Sequence, residues 1–125
     1  MERKIAVVSI VLAIVHFVAE TVWHFAYGQF LPMLIVDYIA IGLLVYAGIR
    51  SLQTNNAAGL LCGAWGFTFC LNYRTFFWRL DEVLNGNTLQ RLGVETTVLG
   101  AALFLTGTLF LLTLILCHRI SRMPK

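Results

Sequence analysis

His16, Glu20 and His24 follow one another at four-residue intervals inside an apolar run from Ile5 to Tyr27. In a helix that spacing stacks the three side chains on one face. The run is long enough to cross a membrane, for which about 20 mostly apolar residues suffice. An ionisable group is costly to hold in hydrocarbon, so within a span it usually turns to a protein interior and marks a working site. Imidazole and carboxylate one helical turn apart can pass a proton, accept a cation or act as general acid and base. Burial disfavours the charged form of a carboxylate, which suits proton-coupled work.

Helical rise separates His16 from His24 by about 12 Å, so the two cannot be the axial ligands of one haem. His118 is far from both, near the end of the fourth apolar run. A haem shared between subunits stays open, and no cofactor is assigned. Glu20 and His24, with Asp37 or Glu95, would offer N and O donors of the kind zinc accepts. The ExxH pairs of di-iron bundles are absent, and the pattern is not read as a metal site. No Ser or Cys nucleophile motif, phosphate-binding loop or HExxH sequence occurs. A membrane-embedded enzyme acting on a lipid or quinone would therefore depend on Glu20 and a histidine alone. Cys62, Cys70 and Cys117 show no CxxC spacing, and buried free cysteine commonly behaves as a small apolar filler.

Four apolar runs must position these groups. The chain has 125 residues, 59% of them hydrophobic and 12% charged, with a mean hydropathy of +0.82, which is too apolar for an ordinary soluble domain. Spans are expected over residues 5–27, 32–52, 57–78 and 95–117, forming one all-α, integral membrane four-helix bundle over 1–125 with no separate soluble domain. The first run is too long, and too interrupted by Glu20 and the histidines, for a cleaved signal peptide. Gly28-Gln29 and Pro32 punctuate the first connection. Asn55 or Asn56 can cap the third helix, which can extend to Leu84, and Asn85-Gly86-Asn87 reads as a turn. The fourth helix can begin as early as Leu89.

Arg3, Lys4, Arg50, Arg119, Arg122 and Lys125 fall on the side of the termini, against Arg74, Arg79 and Arg91 on the other. This bias places both termini in the cytoplasm, with a bacterial inner (plasma) membrane as the expected location. Trp23, Tyr27, Phe30, Tyr73, Phe76, Phe77 and Trp78 form an aromatic girdle at the outer face. At 1.5 Å per residue Glu20 lies about 22 Å above the inner end of its span. Asp37, descending, and Asn72, ascending, reach a similar level.

The helical period groups Ser9, Ala13, His16, Glu20, Trp23, His24 and Tyr27 on one stripe. Trp65, Thr68, Asn72 and Arg79 form a second, and Glu95, Ala102, Thr106, Thr113 and Cys117 a third. Arg74 falls opposite Asn72, with Gly63, Gly66 and Cys70 on a small-residue face suited to close packing. The expectation is a polar pocket near the outer leaflet, with Glu20 central, His24 its nearest partner and His16 extending the site inward. Asp37, Asn72 and Trp23 complete it, and Arg74 or Arg79 supplies counter-charge. The expected function is binding or handling of a small amphiphile or ion there. Proton-coupled transport, lipid or quinone catalysis, and an accessory role in a larger membrane complex are the alternatives. Bundle polar groups can also serve only to fix helix packing. Gly59, Gly63, Gly66, Gly100 and Gly107 could support contacts in a homo-oligomer or with other subunits. Expected partners are membrane lipid and the ligand, and the charge pattern gives no sign of nucleic-acid binding.

Overall fold

A computed structural model describes residues 2–28, 30–54, 56–86 and 90–124, with backbone alone at 90–92. The described residues form four helices, α1 (Glu2–Tyr27), α2 (Leu31–Gln53), α3 (Ala58–Leu84) and α4 (Gln90–Ser121). Several expectations lie outside the described residues: Gln29 in the first connection, capping by Asn55, Asn87 in the third turn, a helix start at Leu89, and the side chains of Arg91 and Lys125.

Among the described residues, three helices are long and apolar enough to cross a membrane: α1, α2 and the 93–121 stretch of α4. The third expected span is a helix, but it falls short of that apolarity. It runs unbroken from the apolar segment into Arg74, Arg79, Asp81 and Glu82.

The connections follow local chemistry. Gly28 ends α1 in the left-handed region at φ +69°, and its N–H donates to the His24 carbonyl at 2.9 Å. A residue with a Cβ is disfavoured in that conformation. Pro32 sits within the first two positions of α2, where its missing N–H has no helical acceptor to lose. Thr54 closes α2 by donating both its backbone N–H and its hydroxyl to the Arg50 carbonyl. Asn56 does not cap α3: Ala57 occupies the cap and no side chain bonds there. Gly86, at φ +89°, turns the chain after α3.

Successive helices pack side by side, α1 on α2, α2 on α3 and α3 on α4, while α1 and α4 meet only slightly. The α3–α4 seam is antiparallel and built by aromatic rings lying over glycines. Phe110 lies over Gly66, Phe69 over Gly107 and Phe76 over Gly100, so near that an added Cβ would stand 2.9, 3.2 and 3.1 Å from the rings. Phe69 and Phe110 also stack on each other at 6.0 Å. In the α1–α2 seam Gly48 lies against Ile10 and the Ala6 carbonyl, leaving no room for a Cβ. Gly59 and Gly63 instead have open space where a Cβ would stand.

Most buried residues gather in one half of the bundle, Leu34 near the start of α2 being an exception. They include Ile5, Ala6, Ser9 and Ala13 of α1; Ile41, Leu44 and Ala47 of α2; Leu61, Ala64 and Trp65 of α3; and Thr106, Leu109 and Thr113 of α4. Trp65, 1% exposed, donates its indole N–H to the Ser9 hydroxyl at 2.8 Å, and that hydroxyl donates to the Ile5 carbonyl at 2.7 Å. A buried indole needs such an acceptor, and this one ties α1 to α3. Thr68, Thr106 and Thr113 return their hydroxyls to carbonyls of their own helices. The polar groups of this half are thus largely consumed by structure. In the other half, residues on the same stripes are only partly covered.

Candidate functional site

Beyond Ala13 the inward stripe of α1 continues as His16, Glu20, Trp23 and His24, all half-buried. His16 Nε2 lies 3.3 Å from Glu20 Oε1, and each side chain keeps 24% of its surface exposed. The i, i+4 relation within one helix makes this pair local. What α2 adds is Asp37. Ligand atoms of His16, Glu20 and Asp37 all lie within 4.8 Å of one another. Directly beside them Thr21 Oγ1 and Tyr38 Oη share a 2.8 Å hydrogen bond, and the Tyr38 ring packs on Phe17 at 5.4 Å. Thr21 follows Glu20 and Tyr38 follows Asp37, so this bond holds α1 and α2 in the register that brings the two carboxylates together. Sequence reasoning did not foresee this bond. The signal was present in two hydrogen-bonding residues adjacent to the two acids, but only the pairing of the helices makes it readable.

His24 is the other histidine four residues from Glu20, yet the cluster forms with His16. The His24 Nδ1 atom is buried and finds no hydrogen-bond partner among the described residues, and its ring meets Phe25 edge-on at 5.7 Å. Trp23 packs on Tyr27 at 4.3 Å. Asn72 is half-buried on α3 and Arg74 is exposed on the opposite side of that helix.

The expected counter-charge goes elsewhere. Arg79 Nη1 stands 3.3 Å from Glu82 Oε2 and Arg79 Nε stands 3.5 Å from Glu95 Oε2. Trp78 donates its indole N–H to Glu82 at 3.1 Å. Arg79 thereby binds α3 to α4 rather than meeting Glu20, the physical reason being that Glu95 faces it directly across the seam the glycines bring together.

Two concavities lie apart from the cluster. One is lined by Asn56, Gly59, Cys117 and Ser121 at the end of the bundle that holds the chain termini. The other is an apolar groove on the α3–α4 face, lined by Phe69, Gly100, Phe104 and Gly107 among others. Neither takes in Glu20, His24 or Asp37.

No protein-family model, curated protein or solved structure matches the chain. Its chemistry has to be argued from these residues.

Proposed function

We propose that this chain is a small integral membrane protein that handles a cation, a proton or a metal ion, at the His16–Glu20–Asp37 cluster. The observation that carries the reading is the convergence of an imidazole and two carboxylates from two apolar helices within 4.8 Å. Charged groups are expensive in a membrane interior and are retained there mainly for relays and ion pathways. Two carboxylates and an imidazole offer oxygen and nitrogen donors to a positive species between them. Partial exposure of His16 and Glu20 leaves the cluster unsealed by protein. An amphiphile site is less well supported, since the two concavities described above lie away from these residues.

In this reading α3 crosses the membrane with the other three helices, its polar segment from Arg74 onward lying toward the outer surface. The termini lie in the cytoplasm, as the Lys and Arg bias indicates, and the helical spans suit a plasma membrane of the bacterial inner type. The test is ion uptake by liposomes containing the protein. Under a pH gradient or an inward gradient of a divalent cation, the wild type should move one or both. Glu20→Gln should reduce that movement to the protein-free background while circular dichroism stays helical. Unchanged flux in Glu20→Gln, or no flux above background in the wild type, would remove this function.

A further inference from the structure

We infer that the cluster is a binding site for a single divalent transition-metal ion of the zinc type, held by His16 Nε2 and one carboxylate oxygen each from Glu20 and Asp37. This deepens the cation-handling reading and rests on it.

The first argument is geometric. Four-coordinate zinc with bonds of about 2.0–2.1 Å places neighbouring ligand atoms about 3.3–3.4 Å apart. His16 Nε2 and Glu20 Oε1 already stand 3.3 Å apart. The widest separation among the three donors is within 4.8 Å, and rotation about side-chain torsions can close the remainder. Two donors sit one turn apart on α1 and the third comes from α2, so the site spans two helices. The Thr21–Tyr38 hydrogen bond of 2.8 Å fixes those helices one residue further along each chain. Such anchoring beside a first set of ligands is what holds a metal site in shape.

The second argument is charge. Glu20 and Asp37 bring two carboxylates from two apolar helices to within 4.8 Å of an imidazole donor. A divalent cation is the guest whose charge suits two carboxylate ligands, and charge held in a span is heavily penalised without such a partner.

The third argument is donor type. One imidazole and two carboxylates suit zinc and its borderline neighbours such as cobalt. Calcium asks for six to eight oxygens, more than the cluster offers, and no thiol or thioether belongs to the cluster to favour copper(I). Three protein ligands leave a fourth position for water. His16 and Glu20 are each 24% exposed, so protein does not wall that position in.

The experiment uses full-length protein in nanodiscs, stripped of metal with a chelator that is then removed. Zn²⁺ is titrated by calorimetry, and Co²⁺ is titrated while its visible d–d bands are followed. We expect one equivalent of Zn²⁺, and intense four-coordinate Co²⁺ bands that Zn²⁺ displaces. Glu20→Gln, Asp37→Asn and His16→Gln should each weaken binding at least tenfold, whereas His118→Ala, at the far end of α4, should leave it unchanged. The spectrum of wild-type protein tests the site even if a variant fails to fold. Absent binding, weak six-coordinate bands, or Zn²⁺ affinity indifferent to Asp37→Asn would each overturn the metal site. Proton flux measured in parallel with chelator present separates the two ideas. Glu20-dependent proton movement without metal binding sinks this inference and leaves the cation-handling reading, whereas loss of both sinks both.

Discussion

The two hairpins of this protein place their acids in opposite situations. Between α3 and α4, Glu95 meets Arg79 at 3.5 Å, a partner that keeps its positive charge at any ordinary pH. Between α1 and α2, Glu20 meets an imidazole and a second carboxylate, groups whose charge can change. The α3–α4 seam is also packed through rings seated over Gly66, Gly100 and Gly107. The α1–α2 seam is tight near Gly48 and only half-buried at His16 and Glu20. One hairpin gives Glu95 an arginine partner and serves as scaffold. The other gathers two carboxylates and an imidazole, the arrangement on which the proposed cation handling rests.

That contrast breaks most visibly at Glu20. Glu20→Gln should abolish ion movement in liposomes, yet leave the melting temperature in detergent unchanged or slightly raised, because it takes one of two neighbouring carboxylates out of an apolar span where charge is costly. A melting temperature lowered by many degrees would turn the cluster into a structural pair like Arg79–Glu95. Next in size, Trp65→Ala should cost about 3–5 kcal/mol, as loss of a large buried aromatic does. Ser9→Ala, which orphans the Trp65 indole N–H, should cost about 1–3 kcal/mol. Denaturant titration in micelles reads both, and equal costs would mean that the hydrogen bond rather than the ring holds the closed half.

The glycine seam gives an internal control. Gly66→Ala and Gly107→Ala should each destabilise by about 1–3 kcal/mol through overpacking, with ion movement preserved in the fraction that stays folded. Gly63→Ala, where nothing lies within 4 Å, should be neutral or gain a few tenths, up to about 1 kcal/mol, in helix propensity. If Gly63→Ala is as harmful as Gly66→Ala, the open face of α3 is covered by another chain. The smallest effect belongs to the ion pair. Glu82→Gln, which breaks the Arg79–Glu82 pair, should change stability by no more than about 1 kcal/mol, since both side chains are about a third exposed. Added salt should shrink that difference further.

Much of the architecture was legible without coordinates. Residues 5–27 and 32–52 lie inside α1 and α2, and the third helix does continue to Leu84. Long apolar runs declare helices because periodicity and length are local properties. The stripes through Ser9 and Glu20, through Trp65 and Asn72, and through Thr106 and Thr113 all lie on covered or half-covered faces. Legibility failed where two choices were locally equivalent. His16 and His24 are equally spaced from Glu20, and only the arrival of Asp37 from α2 separates them. Gly59, Gly63, Gly66, Gly100 and Gly107 all read as contact glycines. Those that bear rings are Gly66, Gly100 and Gly107, told apart from the rest only once Phe69, Phe76 and Phe110 are placed across the seam. Arg79 shares a stripe with Asn72 and read as a counter-charge for Glu20, but a stripe does not state which neighbouring helix it meets.

From its residues alone this chain specifies four helices, their approximate limits and the side of each that turns inward, because those follow from the 3.6-residue repeat and from the cost of exposed backbone and charge in hydrocarbon. Which acid meets which base was settled by helix register and rotation. Those depend on glycine-sized gaps and on bonds such as Thr21–Tyr38 between residues far apart along the chain, and no single segment carries that information.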